Sequence, residues 1–470
     1  MADLIGRLGD IVGAGQVLTG QDMAGYARDW TGAYVCAPLC VVRPGTAQEV
    51  AAILRLANET RVPVVPVAGN TGLNGGASGD GAILLSVERM NRIREIRGNA
   101  RIAIVEAGVV LERLHEAAGQ EGLAFPLTFG AKGSAMIGGV LSTNAGGSNV
   151  LRYGNTRDLC LGLEAVLPTG EIVDLMSELH KDNSGYDLRD LLIGAEGTLG
   201  VITAAVLKLV PRPRAHATAM VAVASLDDGL ALLNRLQAAT GGAVEACEYM
   251  PRAYMEALLA HDPAVRPPFA ESHEVNLLIE VGATAPRDAV PGSDGVVPVQ
   301  AHLEEVLGAL FEEGAVLDAV VAQSEAQRAE MWARREMAAE VALSGGAVAV
   351  NDLAVPLDKV GTFIARADAA VAALDPGAAV LPVAHLGDGN VHYPVRMTRD
   401  DPVLKEALVE AVEGIVQDLR GSFSAEHGIG LAKLPSMRRR KNPVALKAMR
   451  AIKAALDPNG VMNPGKVIPD

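Results

Sequence analysis

A chain of 470 residues is too long for one hydrophobic core, so two or three domains are expected. Its 49% hydrophobic and 21% charged residues exclude disorder, and 3% aromatics leave the core to Ala, Val, Leu and Ile. A net charge of -15 argues against a nucleic-acid partner, whose phosphates would be repelled.

No basic segment leads into an apolar run at the N-terminus, and no apolar stretch reaches spanning length. A cytoplasmic protein without a transmembrane segment is the expectation. Cys36, Cys40, Cys160 and Cys247 form neither a disulfide framework nor a zinc knuckle, so reduced thiols are expected.

Residues 1–34 begin with a helical pattern. From Val41 the spacing predicts strand, helix with Thr46 as its N-cap, and strand over Val62–Val67. Gly69-Asn70-Thr71-Gly72-Leu73-Asn74-Gly75-Gly76-Ala77 follows at once, a backbone able to approach a phosphate closely. It fits neither Gly-x-Gly-x-x-Gly nor a Walker loop, and it leads into another strand, Ala82–Val87, instead of a helix. A second block runs from Pro126, Leu127, Gly130, Ala131, Lys132, Gly133 and Ser134, through Gly138 and Gly139, to Ser142, Thr143, Asn144, Gly146 and Gly147. A third, Ile193 to Thr203, contains Glu196, Gly197, Gly200, Val201 and Ile202. Three such segments in about 200 residues imply a long, dinucleotide-sized ligand lined by backbone.

Pro211-Arg212-Pro213-Arg214 reads as a stiff linker. Beyond it, strands at Ala219–Ala224, Glu274–Val281 and Val348–Val355 alternate with helices at Leu226–Ala239, His302–Glu313, Ser324–Leu343 and Lys359–Ala373. That mixture predicts an α+β layer domain. The arginines of Trp332-Ala333-Arg334-Arg335-Glu336 are expected on the charged face of their helix.

His385-Leu386-Gly387-Asp388-Gly389-Asn390-Val391-His392 reads as strand, turn, strand. Folded into a hairpin, it makes the two imidazoles cross-strand neighbours, an arrangement that suits a divalent metal. Asp388 and Asn390 are expected as turn residues first and as groups orienting the imidazoles second. Ser424-Ala425-Glu426-His427-Gly428-Ile429-Gly430 offers a third ligand, because adjacent side chains diverge on an extended chain.

The segments Gly69–Ala77, Gly130–Gly147, Lys181–Leu188 and Ile193–Thr203 resemble the FAD-binding domain of the vanillyl-alcohol oxidase and p-cresol methylhydroxylase family, and within it the FAD-dependent D-2-hydroxyacid dehydrogenases. The resemblance implies an α+β fold: a two-subdomain FAD-binding domain over residues 1–214, a substrate- and metal-binding domain with an antiparallel sheet over 215–455, and a tail over 456–470, with Asn463, that returns to the flavin. It implies that the first loop holds the pyrophosphate of a non-covalent FAD and that the other two wrap adenosine and isoalloxazine. His385, His392 and Glu426 would ligate a divalent metal, with Zn first and Mn or Fe also accepting these ligands, and His427 would be the base. Arg335, matching the family's Trp-x-x-Arg-Glu pattern, is expected to bind the substrate carboxylate, with Lys433 second. Electrons would pass to an electron-transfer flavoprotein, a cytochrome or a quinone, and a homodimer is the expected assembly.

Two departures bear on the substrate. Hydroxyglutarate-specific members follow the second metal His with x-Asn, where this chain has Pro394. They also carry a Lys ahead of Asp-Leu-x-x-Pro, where Val350 and Asn351 stand before Asp352. Both losses favour a small or apolar D-2-hydroxyacid such as D-lactate over D-2-hydroxyglutarate, unless Arg334 compensates. The other readings are a non-catalytic flavin-binding subunit of a redox complex and a metal hydrolase without redox function.

Overall fold

The computed structural model describes residues 2–293 and 295–470; Asp294, in the stretch around 286–298 whose Pro, Gly and Asp predict a loop, lies outside them. The chain divides into two compact units, one of residues 1–147, 153–211 and 427–470, the other of 148–152 and 212–426. The expected boundaries at 214 and 455 differ from these, chiefly because the last 44 residues, starting at His427, pack with the N-terminal part.

The first unit holds two main sheets. In one, β1 (Val17–Leu18), β2 (Cys40–Val42), β3 (Val64–Val67) and β4 (Ile83–Ser86) lie in the order β1-β2-β4-β3. The Ala47–Thr60 helix packs Val50, Ile53, Leu54 and Ala57 onto it, and Thr46 caps the helix by accepting the Glu49 N–H, as the sequence predicts. In the other, β5 (Ile93–Arg97), β6 (Ile102–Glu106), β7 (Cys160–Val166), β8 (Ile172–Leu175) and β9 (Val201–Lys208) run in the order β5-β6-β9-β7-β8. The tail is stitched to β3: the Val64 N–H donates to the Val461 carbonyl at 2.8 Å, and the Asn463 N–H to the Val64 carbonyl at 2.8 Å.

The second unit is organised by a seven-stranded sheet of β10 (Ala215–Val223), β11 (Val244–Pro251), β12 (Val275–Ala283), β13 (Asp318–Val321), β14 (Asp352–Ala354), β15 (Val383–His385) and β16 (Asn390–His392). Its order is β13-β10-β12-β11-β15-β16-β14, and every pairing is antiparallel. One face buries Tyr249, Leu277 and Ile279 against helices that supply Leu232, Leu303, Phe363 and Leu408. The other face carries Met220, Met250 and Leu278 under Tyr254, Met331 and Val341. Val348–Val355, expected as one strand, is broken into Val348–Ala349 and β14, with Val350 exposed between them. Ser324 caps a helix that ends at Glu336, and a separate one runs Ala338–Leu343.

The arginines of Glu325–Glu336 are not simply surface groups. Arg328, Trp332 and Arg335 recur at helical spacing and face the sheet. Arg328 grips Glu280 through two nitrogens, at 2.7 and 2.8 Å, and Trp332 Nε1 donates to the same carboxylate at 2.8 Å. Arg335 Nε donates to Glu248 at 2.8 Å. Two strand carboxylates therefore dock this helix.

Candidate active site

All three Gly-rich segments fall in the first unit. The first joins β3 to β4, and a Cβ on Gly69 would overlap the Ser134 carbonyl oxygen, so the first and second segments meet backbone to backbone. Gly72 and Gly130 face open space instead. Asn70, Asn144, Glu196 and Asn463 all hold positive φ, between 41° and 50°, which non-glycine residues seldom adopt away from constrained sites. Each is among the residues that the sequence nominates for the cofactor.

Asn463 Nδ2 bridges the Gly76 and Glu196 carbonyls at 3.0 and 2.8 Å, while its buried Oδ1 has no donor among the described residues. A buried acceptor left over beside three glycine-lined loops fits a ligand that brings its own N–H or O–H groups. Glu196 accepts the Ile429 and Gly430 N–H groups at 2.7 and 2.8 Å, and burial still pushes its carboxyl upward. Lys433 lies in the same unit and contributes to the field on Glu196. Replacing Gly69 by Ala is expected to weaken FAD retention roughly 10- to 100-fold, since overpacking costs about 1–3 kcal/mol. The flavin-to-protein absorbance ratio after gel filtration checks this, and an unchanged ratio would rule it out.

The metal candidates lie in the second unit. Within the hairpin, His385 pairs with Asn390 and His392 with Val383, so the imidazoles are cross-strand neighbours, as expected, in the diagonal relation. They still share a face, with ring centroids 5.4 Å apart at 81°. Gly389 makes the turn at φ 80°, where a Cβ would overlap the Val355 carbonyl oxygen. Asp388 accepts the Asn390 N–H at 2.9 Å and so acts in the turn.

The neighbouring strands add what the sequence reading missed. On β11, Glu248 pairs directly with His385; on β14, Asp352 pairs directly with His392. Four consecutive strands thus set two directly paired couples, Glu248 with His385 and His392 with Asp352, on one face of the sheet, offset by two residues along the strands. Glu248 Oε1 lies 2.8 Å from His385 Nδ1. Asp352 Oδ1 lies 3.7 Å from His392 Nδ1, and its Oδ2 accepts the Glu426 N–H at 3.0 Å. Asn390 Nδ2 donates to Asp352 at 3.1 Å, so this turn residue also orients a group behind an imidazole.

Glu426 closes the arrangement. Its carboxylate oxygens lie 3.9 Å from His385 Nε2 and 3.7 Å from His392 Nε2. Donors about 2.0–2.2 Å from one tetrahedral ion lie roughly 3.3–3.6 Å apart, so these gaps need close by only a few tenths of an ångström around an ion. Asp352, His392 and Glu426 are the more tightly gathered, each offering an atom within 4.8 Å of the others. Burial drives the Glu426 carboxyl up to about 7, against the pull of His385. Burial works against the charged His385 imidazole, but Glu248 outweighs it and raises the group to about 9. Glu248 is held below the usual range despite burial, because His385 and Arg335 flank it. Two imidazoles and a carboxylate that leave other coordination positions open fit a catalytic divalent cation better than a structural one.

His427 is the next residue and opens the final segment of the first unit. There Asn74 Nδ2 donates to the His427 and Gly428 carbonyls at 3.0 and 2.7 Å, and Gly430 packs against the Asn74 carbonyl too closely for a Cβ. Arg335 is largely buried, its Nη2 3.5 Å from His385 Nε2. Arg334 turns elsewhere: its Nε donates to the Arg266 carbonyl at 3.0 Å, and its own carbonyl accepts the Tyr254 hydroxyl.

All four cysteines are free, and among the described residues no helix is long and apolar enough to cross a membrane. Residues 38–176 match the family described as FAD binding domain, and residues 212–467 that described as FAD linked oxidases, C-terminal domain. A D-2-hydroxyglutarate dehydrogenase of Xanthomonas citri pv. viticola is 36% identical over 454 residues, 95% of this chain and 92% of that protein. The mitochondrial D-2-hydroxyglutarate dehydrogenase of Bos taurus is 37% identical over 451 residues, 94% of this chain and 79% of that protein. The fold is also that of p-cresol methylhydroxylase, with a TM-score of 0.73 at 16% identity over 100% of this chain and 97% of that one. Alkyldihydroxyacetonephosphate synthase gives the same TM-score of 0.73 at 16% identity, over 99% and 84%. With both domains matched and relatives similar over nearly the whole length, the chain belongs to the FAD-dependent D-2-hydroxyacid dehydrogenase family and is an FAD-dependent oxidoreductase acting on a hydroxyacid.

Proposed function

We propose that this enzyme oxidises a small or apolar D-2-hydroxyacid, D-lactate-like in size, to the 2-oxoacid with the help of a divalent metal. The observation that supports the metal dependence is the two couples Glu248–His385 and Asp352–His392 on one sheet face, with Glu426 facing both Nε2 atoms. A cation held by His385, His392 and Glu426 would supply Lewis acidity to the substrate's hydroxyl and carboxylate oxygens. Arg335 would pair with that carboxylate, a role supported by its guanidinium lying on Glu248 and reaching within 3.5 Å of the same imidazole. His427 takes the 2-hydroxyl proton at an imidazole nitrogen, histidine being the usual general base near neutrality. Bound FAD supplies the hydride acceptor at N5. Electrons leave to an acceptor other than NAD.

The substrate reading rests on what stands where a second carboxylate would need partners. Pro394 offers no donor, and Val350 carries no charge. Asn351 Nδ2 is committed to the Tyr393 carbonyl at 3.1 Å. Arg334, the cation nominated to compensate, is turned to the Arg266 carbonyl. A second reading, D-2-hydroxyglutarate itself, is favoured by the names and the 36–37% identity of the two relatives.

Dye-coupled turnover of D-lactate, D-2-hydroxybutyrate, D-malate and D-2-hydroxyglutarate, before and after chelation, separates these readings. The expected result is highest kcat/KM on a monocarboxylate, loss on chelation and recovery with Zn²⁺ or Mn²⁺. Highest kcat/KM on D-2-hydroxyglutarate would defeat the small-substrate reading, and turnover indifferent to chelation would defeat the metal.

A further inference from the structure

We propose that Glu248 is a positioning residue that sets the tautomer of His385 and the orientation of Arg335 together. The inference rests on the metal reading above and goes beyond it in naming what couples the metal ligand to the substrate-binding cation. Glu248 sits on β11 directly opposite His385 and is 0% exposed, so no water competes for its oxygens. Oε1 lies 2.8 Å from His385 Nδ1, and Oε2 accepts from Arg335 Nε at 2.8 Å.

An ionised carboxylate has acceptors only, so both neighbours must donate to it. In the neutral imidazole that a metal ligand must be, the single proton is then fixed on Nδ1. The Nε2 lone pair is left facing Glu426, the arrangement a metal ligand requires. Arg335 uses Nε on the same carboxylate and keeps Nη2 directed at the His385 ring, 3.5 Å from Nε2. One buried side chain thereby places a metal-binding nitrogen and a carboxylate-binding guanidinium side by side.

An amide of the same shape cannot do this. If the oxygen of a glutamine accepts from Arg335, its NH2 faces Nδ1 and forces the proton onto Nε2, where it blocks coordination. If the oxygen accepts from Nδ1 instead, the NH2 opposes the Arg335 N–H, donor against donor. Aspartate is one methylene too short but keeps two acceptors. If Glu248 matters only as packing, Glu248→Gln, being isosteric, should be milder than Glu248→Asp. The tautomer argument reverses that order.

The experiment uses FAD-loaded full-length protein and four forms: wild type, Glu248→Gln, Glu248→Asp and His385→Ala. Zn²⁺ affinity is measured by competition with a chromophoric chelator. KM and kcat are taken at saturating Zn²⁺ on the hydroxyacid with the highest kcat/KM, and thermal melts control for folding. Zn²⁺ affinity of Glu248→Gln is expected to fall about 10- to 100-fold, the usual cost of losing a group behind a metal ligand. KM should stay raised after metal saturation, with Glu248→Asp closer to wild type on both measures. If wild type and His385→Ala take up Zn²⁺ alike, the metal reading fails and the metal half of the proposal falls with it. If His385→Ala alone loses Zn²⁺ while Glu248→Gln keeps wild-type affinity and KM, only the Glu248 inference is overturned. Glu248→Gln milder than Glu248→Asp on both readouts would overturn it as well.

Discussion

Replacing His385 by Ala is expected to cost the enzyme its metal and its turnover together, while its FAD remains. In the proposed site the imidazole would provide one of three donors, and its removal also strips Glu248 of a partner 2.8 Å away. A buried carboxylate that loses one of two partners is penalised for its burial. Lewis-acid stabilisation is worth several kcal/mol. At about 1.4 kcal/mol per tenfold, its loss lowers kcat/KM by roughly a thousandfold or more. The flavin should stay, because the loops nominated for FAD belong to the other compact unit. Elemental analysis, the flavin spectrum and dye reduction on one preparation check all three quantities. One equivalent of tightly held metal in His385→Ala would show that the hairpin is not the site.

How much of this could be read before folding depends on the range of the interactions concerned. The Gly-rich segments were legible because close backbone approach and positive φ leave a local mark, glycines and asparagines at set places. The His385–His392 turn was legible for the same reason, and the four-residue turn sets the imidazoles diagonally. Strand β11 was passed over. Its alternation is interrupted by a register shift between Val244 and Ala246, and the acids Glu245 and Glu248 break its apolar run. Those acids were the available signal, since carboxylates inside a fully buried strand need partners, here Arg152 and His216 for Glu245, and His385 and Arg335 for Glu248. Asp352 was visible in the chain, but its role depends on β14 pairing with β16, a contact 40 residues away that no local pattern encodes. The return of residues 427–470 to the first unit is likewise tertiary, carried by Asn74, Glu196 and Val64.

His427→Ala tests the division of labour between neighbours. Glu426 and His427 are adjacent, yet the Glu426 carboxylate faces the two imidazoles while the His427 backbone is held by Asn74. Alanine leaves the backbone carbonyl that Asn74 grips, and so the placement of Glu426 should survive. FAD and metal should therefore bind as in wild type, while kcat falls about 10²- to 10⁴-fold, the usual contribution of a positioned general base. Substrate KM should change little, because Arg335 and the cation, not His427, hold the carboxylate in this reading. A wild-type rate in His427→Ala would move the base elsewhere. Loss of metal in that variant would instead make His427 a ligand and leave the hydroxyl proton to another group. A residual rate that rises with pH as hydroxide replaces the missing imidazole, with metal content constant, would place the imidazole at the proton-transfer step itself.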